Sequence, residues 1–351
     1  MLRFSFLPLI ILPTVTAQPL QHRLLIATSD DGLNFTRLNL VVVDSGDVPD
    51  AAIGPGQLVY LYYQGLWTPT YDGIMVAISQ DGISNWQYHQ VRIAGTEGWR
   101  GRPCDPDVII FGDTFRLYFT GDPAGDMLPE TYSAVSRDGI NFTLEPGFRF
   151  QVSGSPVLDP SLLQTGDTLN YFAGGAPPGE NWHAHSTDGL NFTPRPNLIA
   201  DSLMMANGIR VLGGYRFYCF KNLPRTRSIY SVFSADGENW VLEPGVRLTV
   251  DTTTGLEWEY VKDPAIVFHN NRFLMYYVTQ RPPLGWNEIK PEIIQPRTIL
   301  SNPRKGQSAI RSQRQVYDIC GNKGGNFLPP GVYFVSSENK PARFQKIVIT
   351  R

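Results

Sequence analysis

The stretch Ser29-Asp30-Asp31-Gly32-Leu33-Asn34-Phe35 returns four more times along the chain. Ser79-Gln80-Asp81-Gly82 runs on to Asn85-Trp86, Ser136-Arg137-Asp138-Gly139 to Asn141-Phe142, Ser186-Thr187-Asp188-Gly189 to Asn191-Phe192, and Ser234-Ala235-Asp236-Gly237 to Asn239-Trp240. Successive Asp-Gly aspartates stand 50, 57, 50 and 48 positions apart, a period that belongs to propellers or solenoids. Asp-Gly between apolar runs is a strong hairpin signal, because a type I′ turn needs positive φ at both central residues. Each copy therefore reads as a hairpin tip, and the repeat as all-β.

Two strands precede each tip. A Pro-bearing start leads into an apolar run, a turn and an aromatic-rich second strand: Val48-Pro49-Asp50 ahead of 58–63, Asp105-Pro106-Asp107 ahead of 115–120, Asp159-Pro160-Ser161 ahead of 169–173. In the fourth unit Ala206-Asn207-Gly208 takes this place. A fifth inner pair, starting Lys262-Asp263-Pro264, has no tip after it, whereas 23–35 supplies a third strand, a tip and a fourth strand with no inner pair before them. Each half lacks what the other has. The expected fold is all-β, a five-bladed β-propeller over 22–280, with N- and C-terminal strands sharing the closing blade. A linear β-solenoid, with shorter rungs, fits four strands per ~50 residues poorly.

A chain of 351 residues accommodates one such domain and a small appendage. Its net charge of −2 lacks the basic excess of a nucleic-acid binder. Residues 1–17 read as a signal peptide, with Arg3 at the positive end, an apolar 4–15 and a small-residue Val15-Thr16-Ala17 cleavage site. The apolar run is too short to span a bilayer. A secreted or cell-surface location and no transmembrane segment are expected. Cys104, Cys219 and Cys320 are odd in number and scattered, which argues against a disulfide framework. Phosphate loops, zinc spacings and a nucleophile elbow are absent from the sequence, so no cofactor or metal is expected, and the chain is read as a monomer.

Chemistry is expected where inner strands begin, at the mouth of the central channel. Asp50, Asp105, Asp107, Asp159 and Asp263 stand there, with Glu259 upstream. Converging carboxylates raise one another's pKa and can supply the protonated acid and ionised base that glycosidic cleavage needs. The purely structural reading is that Asp before Pro caps a strand start through an Asx turn. Asp50 and Asp107 escape it, since each follows its Pro. Tyr62, Tyr63, Trp67, Trp99, Trp182 and Trp286 are candidate sugar platforms, although inter-blade packing is their commoner use. His183 and His185 share a strand face and read as packing or surface residues rather than metal ligands. The Asn-Phe-Thr sequons at Asn34, Asn141 and Asn191 read as by-products of the tip repeat.

The Asp-Pro inner starts, the Leu-Tyr-Phe and Met-Tyr-Tyr second strands and the Ser-x-Asp-Gly tips over 23–278 resemble the five-bladed glycosidase propellers. These include the arabinanases and xylosidases of glycoside hydrolase family 43, the fructosidases and the mannoside phosphorylases. The resemblance implies a secreted glycoside hydrolase acting on a poly- or oligosaccharide. It also implies a blade-one Asp as general base, a blade-two Asp that tunes, and a blade-three Glu as acid. Asp50 and Asp107 occupy fitting positions; blade three has no Glu on its inner strand, so Asp159 or Glu180 would have to serve, with Asp263 assisting. Asp105, Arg102, Arg210, Glu259 and Tyr63 are the expected substrate-binding residues. The competing reading is a carbohydrate-binding or surface-adhesion propeller without catalysis. A sialidase-type site, with Arg100, Arg102 and Arg210 holding a substrate carboxylate, is a distant third.

After a Pro-, Arg- and Lys-rich linker over 281–312, residues 313–351 read as a small β module. Its Tyr317-Asp318, Pro330-Gly331-Val332-Tyr333-Phe334 and terminal 345–351 resemble the C-terminal sorting domain of bacterial type IX secretion cargo, which implies the secretion machinery as a partner.

Overall fold

The computed structural model describes residues 22–65, 73–176, 180–196, 203–221 and 226–283, and the backbones of three strands further on. The expected signal peptide and most of the linker lie outside the described residues. Blade one comprises Gly46–Ile53, Val59–Gly65, Gly73–Ser79 and Gln87–Gln90. In blade two, Cys104–Phe111, Thr114–Gly121, Glu130–Ser136 and Asn141–Leu144 are joined at the rim by Arg92–Ala94, which runs parallel to the fourth strand. Leu158–Thr165, Thr168–Ala176, Glu180–Ser186 and Thr193–Arg195 make blade three. Blade four is Leu203–Val211, Gly214–Lys221, Ser228–Ser234 and Val241–Leu242.

Blade five is composite. Trp258–His269 and Arg272–Gln280 form its inner half; His22–Ser29 and Thr36–Val43 form its outer half, and His22–Ser29 pairs antiparallel with the second strand from His22 against Gln280 to Ser29 against Phe273. Five apolar clusters fill the five gaps between blades. The one between blades five and one joins Leu24, Ile26, Leu274 and Tyr276 to Val59 and Leu61, all but fully buried, so the ring is closed.

The repeat fastens one blade to the next. In the first tip the Ser29 hydroxyl accepts the Gly32 N–H at 2.9 Å, while Asp31 Oδ1 accepts the N–H groups of Leu33 and Asn34, each at 2.8 Å. The other four tips repeat this pattern. Each tip glycine then offers its carbonyl to the preceding blade: Tyr62 donates to Gly139, Tyr118 to Gly189, Asn170 to Gly237, Tyr218 to Gly32 and Tyr276 to Gly82, at 2.7–3.1 Å. The tips are not two-residue type I′ turns. The Asp does not take positive φ and the glycine does (Gly32 at 70°), joined in the longer second tip by Asn85 at 53°, because the Asp carboxylate folds a wider loop around itself.

The strands Gln315–Asp318, Gly331–Ser336 and Phe344–Ile349 form a separate three-stranded antiparallel sheet. Among the described residues no helix is long and apolar enough to cross a membrane.

Candidate functional site

All five inner strands carry a register shift at their first turn, between Asp47 and Asp50, Cys104 and Asp107, Leu158 and Ser161, Met205 and Asn207, and Lys262 and Ala265. In four of them the residue before the proline has positive φ: Val48 at 41°, Asp105 at 51°, Asp159 at 50° and Asp263 at 44°. Asp tolerates this conformation far better than a β-branched residue. A bulge re-aims side chains, and here it separates two levels. Residues before the proline ring the mouth; residues after it reach sideways into the next blade.

The lower level is a belt. Asp50 Oδ2 accepts the Val108 N–H at 2.7 Å and its Oδ1 accepts the Asn207 amide from across the channel. Asp107 Oδ1 accepts the Leu162 N–H at 3.1 Å, Ser161 donates to the Ala206 carbonyl at 2.6 Å, and Asn207 Oδ1 accepts the Ile266 N–H at 3.0 Å. Both carboxyls are only 3% exposed. Burial pushes Asp50 up to about 7, against the opposing pull of the Val108 and Ala51 N–H groups. Burial and then the Asp50 charge push Asp107 well above the carboxylate range. Its Oδ2 is buried with no hydrogen-bond partner, which suits a protonated acid.

At the mouth, Asp105, Asp159 and Asp263 come from blades two, three and five. Asp105 and Asp159 keep part of their surface open. Burial raises Asp159 well above its ordinary range, and the neighbouring Asp105 and Asp263 charges raise it further. Asp105 is raised by burial too, held back by Thr120 and Cys104. Asp263 reaches about 6, because the Lys262 ammonium offsets part of its burial. Lys262 Nζ bridges Asp263 and Asp47, the latter at 2.6 Å, and His22 Nδ1 lies 2.6 Å from the other Asp47 oxygen. Despite burial, Lys262 and His22 hold Asp47 well below the carboxylate range. Carboxylates of contrasted protonation around one cation can serve as acid and base.

The remaining expected site residues are dispersed. Arg102 is exposed just ahead of the blade-two bulge, and Glu259 is exposed on blade five with its carbonyl bonded by Arg227. Arg210 is also exposed, but it pairs with Tyr215 beside the turn that ends its strand, at the opposite end from the mouth. Arg102 and Arg210 therefore do not form an arginine cluster. Tyr63 is 4% exposed and packs between blades five and one, so it offers no sugar platform. Trp99 packs on Phe119 and Tyr132, and Trp182 donates to the Pro156 carbonyl. Trp67, Trp286 and the Glu180 side chain lie outside the described residues. His183 stacks on Phe172 at 4.7 Å and is buried. Among the described residues no group of His, Cys, Asp or Glu is arranged to hold a metal.

Asp47, Lys262 and His22 were not singled out in the sequence. The available signal was Lys262 itself, a cation next to an Asp-Pro bulge at the head of an apolar inner strand. A cavity of about 20 Å³ reaches the axis between Val48, Asp159, Met205, Ala206, Phe220 and Asp263; it holds about one water, so a sugar ring would bind above it.

No protein-family model matches the chain, and no curated protein sequence does. Solved structures do. A thermostable family-43 glycoside hydrolase superposes with a TM-score of 0.53 at 13% identity, over 74% of this chain and 96% of that one. An α-L-arabinofuranosidase from Clostridium thermocellum gives 0.51 at 17%, over 65% and 80%. An endo-arabinase from Bacteroides thetaiotaomicron gives 0.51 at 18%, over 68% and 94%. The chain has the five-bladed fold of these glycoside hydrolases. At such identities the likeness is one of fold, and the chemistry must be argued from the mouth.

Proposed function

We propose that the chain is a secreted glycoside hydrolase that cleaves a poly- or oligosaccharide at the propeller mouth. One observation carries the reading: aspartates from three blades meet there, each raised by burial, with Asp263 drawn part of the way back by its ion pair to Lys262. Asp159, desolvated and beside two other carboxyls, favours its protonated form and donates that proton to the leaving glycosidic oxygen. Asp263, beside Lys262, is ionised above about pH 6 and takes the proton of the attacking water. Asp105 faces the same space and holds the substrate, with Arg102 at the rim. Asp50 and Asp107 act from the belt below, fixing the blades that carry the mouth.

Secretion rests on residues 1–17, and passage through a type IX system on the motifs of 313–351. The superposed arabinofuranosidase and endo-arabinase make arabinose-containing glycans the first substrates to try. The test is sugar release from a glycan panel by the full chain and by Asp159→Asn and Asp263→Asn. Release by the parent and its loss in both variants is expected; equal release by all three would overturn the assignment.

A second reading, a carbohydrate-binding or adhesion propeller, is favoured by Val48, which stands where blades two, three and five place Asp. Retained glycan binding with no release by the parent chain would establish it.

A further inference from the structure

The belt below the mouth has one blank. Asp50, Asp107, Ser161 and Asn207 each bond the backbone of the next blade, but blade five has Ala265 at this position, and a methyl group makes no such bond to blade one. At that seam a charged side chain crosses instead, one level higher. Lys262 leaves blade five, reaches Asp47 Oδ1 of blade one at 2.6 Å and also bonds the adjacent Asp263. His22, on the N-terminal strand of the composite blade, closes the other side of Asp47 at 2.6 Å. The Lys262 side chain is 12% exposed and those of Asp47 and Asp263 are 17% and 11% exposed, so water screens the group little.

One ammonium is thus shared between two carboxylates that differ in support. Asp47 has His22 and Lys262, one on each oxygen, and is a fixed anion. Asp263 has Lys262 and sits among groups that resist its charge. The titratable groups around the pair are Asp47 on blade one, His22 on the N-terminal strand of blade five, Asp105 and Asp159 across the axis, and Glu259 and Tyr260 on the same strand. Blade four faces them with neutral Met204, Met205 and Ala206.

We infer that Lys262, braced by Asp47 and His22, is the positioning residue of the mouth: its ammonium orients the Asp263 carboxylate and keeps it ionised, so that Asp263 serves as base and the proton stays on Asp159. The words acid and base rest on the hydrolase reading; the control of Asp263 by Lys262 does not. Because His22 belongs to the strand that completes blade five, the site reaches its working charge only when the ring is closed.

Carboxyl carbon NMR titration of the full chain tests this, beside the pH profile of sugar release. In Lys262→Met the Asp263 midpoint moves up from about 6, by about one pH unit or more, because the facing cation is gone. In Asp47→Asn a like charge is removed and Lys262 is left to Asp263 alone, so the midpoint moves down. The acid limb of the pH profile follows in each case, to higher pH in the first variant and lower in the second. Packing alone would not move it in opposite directions. Asp47→Asn keeps the shape of its side chain, so the test survives if Lys262→Met does not fold. Midpoints that stay put, or that shift the same way in both variants, overturn the inference. Opposite shifts in a chain that releases sugar from no glycan would uphold the control of Asp263 and sink the hydrolase reading instead.

Discussion

Aspartate recurs at both faces of the ring, in two opposite electrical settings. At the tips, Asp31, Asp188 and Asp236 are surrounded by backbone N–H donors and an Asn amide, and those bonds hold each carboxyl well below its ordinary range. At the mouth, Asp105, Asp159 and Asp263 are desolvated, short of donors and crowded by one another, and each is raised. The side chain is the same; the supply of N–H groups differs. A tip loop curls round its carboxylate and satisfies it locally, whereas a bulge before proline presents the carboxyl to an axis already occupied by other acids. Local satisfaction makes a scaffold residue, and its absence makes a reactive one.

The largest difference should appear on substitution by a neutral isostere. Asp159→Asn should lower sugar release by about 10²–10⁴-fold, the usual contribution of a general acid, without lowering the melting temperature, since Asn needs no proton to lie buried. Asp138→Asn at a tip should leave release unchanged. Rates and melting curves measured side by side decide it, and an Asp159→Asn enzyme of full activity would erase the contrast.

Next in size is the steric demand of the tips. Gly139 has φ of 73°, and a Cβ there would lie 2.8 Å from the Tyr62 hydroxyl and 3.0 Å from Phe115. Gly139→Ala should cost about 2–4 kcal/mol in chemical denaturation through backbone strain and displacement of the Tyr62 bond. At the mouth end Gly98 has open space around its Cβ position, and Gly98→Ala should cost less than about 1 kcal/mol.

The two sets also predict opposite slopes of stability against pH. Tip carboxyls, depressed in the folded chain, contribute stability that is fully present above their unfolded pKa near 4 and is lost as pH falls below it. For the raised set the sign reverses. Asp50 at about 7 and Asp263 at about 6 penalise the folded state above those values, and the penalty is relieved as pH falls toward 4. Stability should therefore peak between about pH 4 and 6. Asp50→Asn should flatten the alkaline side of the peak and leave the acid side alone; denaturation midpoints across pH 3–8 check both limbs.

The fold was legible because its determinants are local and repeated. Gly32 and its counterparts are demanded by the loop, Ser29 and Asp31 by its hydrogen bonds, and the incomplete halves at 23–35 and 262–278 could only be joined in one blade. The mouth was half legible. Asp105, Asp159 and Asp263 stand out in the sequence as Asp-Pro pairs, but the pattern points more strongly to the residues after proline, Asp50 and Asp107. Nothing in the residue pattern alone shows that the bulge turns the first set to the axis and the second into the neighbouring blade. Lys262 and Asp47 lie 215 positions apart, and their pairing exists only once the ring has closed.

The smallest predicted effect concerns the belt, where one position appears in four chemistries: carboxylate at Asp50 and Asp107, hydroxyl at Ser161, amide at Asn207 and methyl at Ala265. Were the belt needed link by link, Ala265 would break it. The seam it leaves blank is instead crossed by Lys262, so the belt stabilises additively rather than as an unbroken circle. Ser161→Ala should then cost only about 1 kcal/mol, the worth of one hydrogen bond whose acceptor, the Ala206 carbonyl, is left behind. Sugar release should be unaffected, because Ser161 points away from the mouth into blade four. A loss of several kcal/mol, or of activity, would show that the belt and the mouth are one cooperative unit, and the separation of scaffold from reactive aspartates would have to be redrawn one level lower.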